Sequence, residues 1–158
     1  MSQRIDFYKA SPEAIRTMFG VERYIHNSGL ESPLVELVKF RVSQINGCGY
    51  CLDMHSKDAR AAGETEQRLY CLQVWREAPF YSDRERAALE WAEHLTLISE
   101  KHVPDELYER VRKQFDEKEL VDLTLAIVAI NGWNRFAISF QSEVGSYQVP
   151  AAKHSPHE

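Results

Sequence analysis

From Leu120 to Phe140 the chain is apolar on nearly every side of a helical projection, with Leu, Ile, Val, Ala and aromatic residues leaving no polar stripe. A helix of that kind has to be buried, at the centre of a domain or between subunits, and the rest of the chain must supply the elements that wrap it. Asp116 followed by Glu119 marks its start with the spacing of a capping box, and Ser82 followed by Glu85 repeats that signal. Ser11-Pro12 and Ser32-Pro33 each put a hydroxyl before a proline suited to the first helical position, so both serines are predicted to cap helices. After Ser32, the residues Leu34, Leu37, Val38, Val42 and Ile45 recur at three- and four-residue spacing until Gly47. The next helix is predicted from Cys48 to Ala62, closing at Gly63. Thr65 starts a pattern carrying Leu69, Leu72 and Trp75 up to Pro79. Leu89, Ala92 and Leu95 follow Ser82, and Pro104-Asp105 opens a segment through Leu107, Val111 and Phe115. No stretch sustains the period-two alternation of a half-buried strand. The expected fold is all-α, a single domain of about six or seven helices over residues 1–145, followed by a tail over 146–158.

The formal net charge is -5, and lysines and arginines alternate with acids without forming a basic patch. A phosphate backbone would be repelled, so nucleic acid is not an expected partner. The most apolar stretch, Leu123 to Ile130, is far shorter than the roughly 20 residues a membrane-crossing helix needs. Met1 to Asp6 shows no basic segment leading into an apolar one, so a secretory signal is not expected and the predicted compartment is the cytoplasm. In a reducing compartment three cysteines, two of them as Cys48-Gly-Tyr-Cys51, point to reactive or metal-binding thiols more than to cross-links.

Cys48, Cys51 and His55 follow Gly47 at intervals of three and four residues, which on a helix places them on one face. Ordinary helical neighbours have Cβ atoms about 5–6 Å apart, too far for a disulfide, so Cys48 is predicted in the pliable first turn, where Gly47 and Gly49 give latitude. Unpaired N–H groups and the positive end of the helix dipole stabilise thiolate there, and thiolate is the nucleophilic form. His55, one turn beyond Cys51, is better placed to act on that sulfur. Cys51 is therefore the predicted attacking sulfur and Cys48 the resolving one. If the preceding helix folds back around Gly47, Glu36 comes opposite His55 and about twice as far from Cys51, so it is expected to act through the imidazole.

Glu36, eleven intervening residues, and then Cys48-x-x-Cys51-x-x-x-His55 resemble the core of AhpD-like alkylhydroperoxidases of the carboxymuconolactone decarboxylase superfamily. The segment Asn131-Gly-Trp-Asn134-Arg135-Phe136 resembles a recurrent stretch of the same proteins. The resemblance implies an all-helical protein assembled as trimers or hexamers. Its second cysteine attacks a hydroperoxide, its first resolves the product, and the glutamate and histidine relay protons. It implies no bound cofactor, but an external dithiol reductant of lipoyl or thioredoxin-like type. Tyr50 stands between the cysteines where the best-studied AhpD motif has a histidine, a departure that bears on the secondary relay and on which reductant serves. True carboxymuconolactone decarboxylases lack the cysteine pair, so its presence argues against lactone decarboxylation.

Other readings of the same residues stand beside this one. Cysteine is often a small buried hydrophobe. A disulfide that closes once would make a redox-sensing or binding module. Cys48, Cys51 and His55 could supply three zinc ligands, with His94, His102 or Glu36 as the fourth, although a helical Cys-x-x-Cys lacks the second knuckle of strong zinc signatures. Cys71 reads as packing, and His26, His94 and His102 as isolated. Asn131, Asn134 and Arg135, on an apolar helix, are expected to bond across a helix contact or subunit interface. Trp75, Trp91 and Trp133 are core or interface residues, any one of which could wall a pocket.

Overall fold

The computed structural model describes residues 2–150. Along them run α1 (Phe7–Ala10), α2 (Pro12–His26), α3 (Ser32–Asn46), α4 (Gly49–Ala61), α5 (Glu66–Cys71), α6 (Asp83–Thr96), α7 (Ile98–Lys101), α8 (Asp105–Arg112) and α9 (Glu117–Ser139), with a 3-10 turn at Leu72–Val74 and no strand among the described residues. The all-α expectation holds. The seven segments read from the sequence are all present, and the one-turn helices α1 and α7 are additions to them.

The greasy helix is α9. Leu123, Ala126, Ile127 and Ile130 are fully enclosed by α2, α3, α6 and α8, while Val121 and Val128 on another side remain open to solvent. α3 lies against α9, α6 and α4, and so forms the hub of the domain. A second, smaller core gathers Leu37 and Phe40 of α3 with Ala59, Leu69, Leu72, Trp75, Ala78 and Leu89. Among the described residues no helix is long and apolar enough to cross a membrane.

Both capping boxes form as read: the side chain of Ser82 accepts from Glu85 N–H and that of Asp116 from Glu119 N–H, each glutamate reaching back in return. The two proline-marked starts differ from expectation. Ser11 precedes α2 but its hydroxyl caps nothing, because its backbone is already held by the end of α1 through a bond to Phe7 O. α3 begins at Ser32 itself, with Glu31 at the cap position and its carboxylate turned outward to Arg84. The segment after Thr65 is shorter than expected as an α-helix, tightening into the 3-10 turn after Cys71. Leu69, Leu72, Trp75 and Ala78 are all buried at a spacing of three, and three residues per turn is the geometry that keeps such a series on one side.

The turn between α3 and α4 is clamped from α9. Asn46 Nδ2 donates to Asn131 Oδ1 at 3.0 Å and to Asn134 Oδ1 at 2.8 Å, Asn134 Nδ2 donates to Ser43 Oγ at 3.1 Å, and Asn131 Nδ2 reaches Thr96 Oγ1 at 3.2 Å. The expected role of these asparagines across a helix contact is thus met within the chain. Asn134 has no solvent exposure, so its loss strands polar groups of both α3 and α9. Asn134→Ala should destabilise the fold by about 1–3 kcal/mol, read as a lowered urea midpoint at unchanged slope.

Candidate active site

The chain reverses at Gly47, whose φ of +68° is the left-handed conformation that closes a helix. Gly47 N–H bonds to Gln44 O and Cys48 N–H to Ser43 O, the paired closure of a Schellman motif. The same residue that completes α3 then begins α4: Cys48 is the N-cap, and its sulfur accepts from the N–H of Cys51 at 3.3 Å. A sulfur thus takes the place usually held by a serine or aspartate oxygen. Cys48 and Cys51 are joined as a disulfide with Cα atoms 5.3 Å apart, so the expected pliability of the first turn is realised through the cap position.

Both sulfurs are enclosed, with Cys48 1% and Cys51 2% exposed. His55, on the next turn of α4, is buried too, and its Nδ1 lies 2.9 Å from Glu36 Oε2 on α3. The antiparallel α3–α4 pairing foreseen from the spacing therefore brings Glu36 to the imidazole. Burial pushes the Glu36 carboxyl up, but the hydrogen bond and charge of His55, together with the charge of Lys39, outweigh it and hold the group below the usual carboxylate range. An ionised carboxylate only accepts, so Nδ1 carries the proton that points at Glu36, which leaves Nε2 as the ring atom turned to other partners.

These groups meet in a pocket of about 250 Å3. Cys51, His55 and Glu36 lie along it, its aromatic walls come from Phe7, Tyr8, Phe19 and Trp133, and Tyr50 and Met54 add to it from α4. Trp133 is thus the tryptophan that walls this pocket. Its Nε1 donates to Glu22 Oε1 at 2.9 Å, and Glu22 in turn pairs with the buried Lys39 at 2.6 Å. Lys39 and Glu22 were not singled out from the sequence. A lysine three residues after Glu36 on a largely apolar helix was the available signal for the first. Nothing local marks the second.

The zinc alternative finds no arrangement to support it. Among the described residues no group of three or more His, Cys, Asp or Glu side chains is placed to hold a metal, and the two sulfurs are bonded to each other. His94 is instead bonded through Nδ1 to the carbonyl of His102 at 2.9 Å. Cys71 is half-buried beside Gln67, in keeping with packing.

Glu36→Gln should separate orientation from charge. The amide still bonds the ring but no longer stabilises a protonated imidazole, so turnover of any reaction that uses His55 as a base should fall roughly ten- to a hundredfold with little change in KM. The carboxyl has a lower pKa folded than unfolded. Its ionised form therefore stabilises the fold above the usual value of 4.5, and that contribution is lost as pH falls through the folded value. A Tm measured from pH 7 down to pH 3 should accordingly decline less steeply in Glu36→Gln than in the parent.

Comparison with known proteins adds to this geometry. The model of the carboxymuconolactone decarboxylase family matches residues 10–94, more than half of the chain. The uncharacterized protein YdfG of Bacillus subtilis is 52% identical over 146 residues, covering 92% of this chain and 99% of YdfG. The alkyl hydroperoxide reductase AhpD of Bradyrhizobium diazoefficiens is 37% identical over 62 residues, which is 39% of this chain and 31% of that protein. Among solved structures, a protein of unknown function from Agrobacterium tumefaciens, provisionally described as an antioxidant defence protein AhpD, superposes with a TM-score of 0.87 at 45% identity, covering 90% of this chain and 97% of its own.

Proposed function

The chain belongs to the carboxymuconolactone decarboxylase family, within its AhpD-like part, and from that premise we propose that it is a thiol peroxidase acting through Cys51. The observation that carries the reading is the convergence on one aromatic-walled pocket of a disulfide-forming sulfur, an imidazole and the carboxylate that orients it. In the reduced protein, His55 Nε2 takes the proton of the Cys51 thiol, and the N–H groups opening α4 stabilise the thiolate. The thiolate attacks the terminal oxygen of a hydroperoxide. The O–O bond breaks, the alcohol leaves with a proton returned from His55, and Cys51 becomes a sulfenic acid. Cys48 then attacks that sulfur, water leaves, and the disulfide seen here closes.

An external dithiol returns the pair to thiols, and the AhpD relatives make a lipoyl-type or thioredoxin-like donor the natural proposal, with no bound cofactor. Reactive thiols that must be returned to the reduced form suit a cytoplasmic location, and the AhpD likeness carries the proposal of a homo-oligomer. The cysteine pair favours this chemistry over lactone decarboxylation. A second reading has support in the burial of both cysteines: a disulfide shielded from bulk solvent suits a module that switches an interaction once. The two are separated by supplying cumene hydroperoxide and excess dithiothreitol to the purified protein. A peroxidase consumes many equivalents of peroxide per chain. Consumption that stops after one equivalent overturns the catalytic reading in favour of the switch.

A further inference from the structure

The two sulfurs open onto different cavities. Cys51 lines the aromatic pocket with His55 and Glu36. Cys48 lines a second one of about 540 Å3, bounded by Gly47, Gly49, Ile138, Ser142 and Val144. Tyr50 and Ala137 line both and form the partition. The roof of the second cavity is the segment that follows α9, and it is tied down on both sides. Ser142 N–H donates to the carbonyl of Ala137 at 2.9 Å, the Tyr147 hydroxyl donates to Asp58 Oδ1 at 2.7 Å, and Lys57 Nζ donates to the Tyr147 carbonyl at 2.9 Å. Gly49 belongs to the same arrangement, since a Cβ there would lie 3.1 Å from Val144 Cγ2.

We propose that this second cavity is the reductant's site, and that the incoming thiol attacks Cys48 through it while the aromatic pocket serves the peroxide. Which sulfur of a disulfide is attacked follows from access, and from how well the other sulfur leaves. Access to Cys48 is from the second cavity, whereas access to Cys51 is through the pocket that holds His55. The reductant's thiolate bonds to Cys48 Sγ, the Cys48–Cys51 bond breaks, and its electron pair stays on Cys51. That sulfur leaves toward the imidazole, which holds it ready as thiolate or supplies it with a proton. The second thiolate of the reductant then attacks the reductant's own sulfur in the mixed disulfide. This expels Cys48 as thiolate and closes a disulfide within the reductant, so that two electrons pass from dithiol to protein. Because Cys48 lies 1% exposed beneath a roof, the fitting donor is a small dithiol or one carried on a slender stem, not a thiol flush with a protein surface.

This inference deepens the dithiol reading above, but its test contains no peroxide and so can fail independently of it. The oxidised protein is mixed with excess cysteamine, quenched rapidly in acid, alkylated and mapped by peptide mass. Cysteamine on Cys48 with alkylated Cys51 is the expected result; the adduct on Cys51, or equally on both, overturns the proposal. A second measurement stands if adducts collapse too fast to map. Val144→Trp narrows the cavity and should slow reduction of the disulfide by dithiothreitol about five- to tenfold, and an unchanged rate in a folded variant overturns the proposal.

Discussion

Cys51→Ser is expected to reduce peroxide consumption to the background of buffer, whereas Cys48→Ser should still yield one equivalent of sulfenic acid per chain. The two sulfurs share a helix terminus, so the dipole and the opening N–H groups of α4 do not distinguish them strongly; Cys48 even receives the N–H of Cys51 directly. What distinguishes them is where each faces. Only Cys51 shares the pocket of His55 and Glu36, so in the proposed mechanism only Cys51 has both a base for its thiol and an acid for the departing alkoxide. Serine at that position is a far poorer nucleophile than a thiolate and lies many pK units from ionisation, which is why the loss should be complete and not partial. In Cys48→Ser the first step survives and the second cannot occur. Dimedone labelling followed by mass spectrometry should therefore find the adduct on Cys51 in that variant and none on Cys48 in Cys51→Ser. The reverse pattern would transfer the attacking role to the N-cap sulfur.

The site was legible in the sequence to the extent that it is built from one helical hairpin. Glu36, Gly47, Cys48, Cys51 and His55 lie within a short stretch, and helical rise and periodicity fix their mutual positions once the reversal at Gly47 is recognised. The same holds for the capping boxes at Ser82 and Asp116, where donor and acceptor are three residues apart. Of the pocket's aromatic walls only Trp133 was in view, as one of three tryptophans offered for that role; Phe7, Tyr8 and Phe19 were not legible, because they reach the pocket from α1 and α2. α1 is a single turn with an aspartate cap at Asp6, too short for any periodic signal, and its Phe7 is buried through contacts with the rings of Phe136 and Phe140 near the other end of the chain. The prolines at 12 and 33 illustrate the converse. Each marks a real helix start, yet the serine before it was free to cap only if its neighbours left it so, and at Ser11 the preceding turn did not.

His55→Ala is expected to lower turnover by roughly a hundred- to ten-thousandfold, the range over which a positioned general base and acid contributes. Three consequences should appear together if the imidazole acts as described. The thiolate fraction of reduced Cys48→Ser, in which Cys51 stands alone beside the histidine, should fall near neutral pH when His55 is removed, read from thiolate absorbance across a titration. The pH dependence of single-turnover oxidation should shift upward, because ionisation of Cys51 then relies on the helix terminus alone. Burial leaves a cavity where the ring was, and the Glu36 carboxylate loses the hydrogen bond and charge that hold it ionised, so its pKa should rise from its present depressed value. That last change tells catalysis from structure. A variant whose Glu36 titration shifts while the Cys51 thiolate fraction stays at the parent value would keep the ion pair as a packing element and remove the histidine from the chemistry.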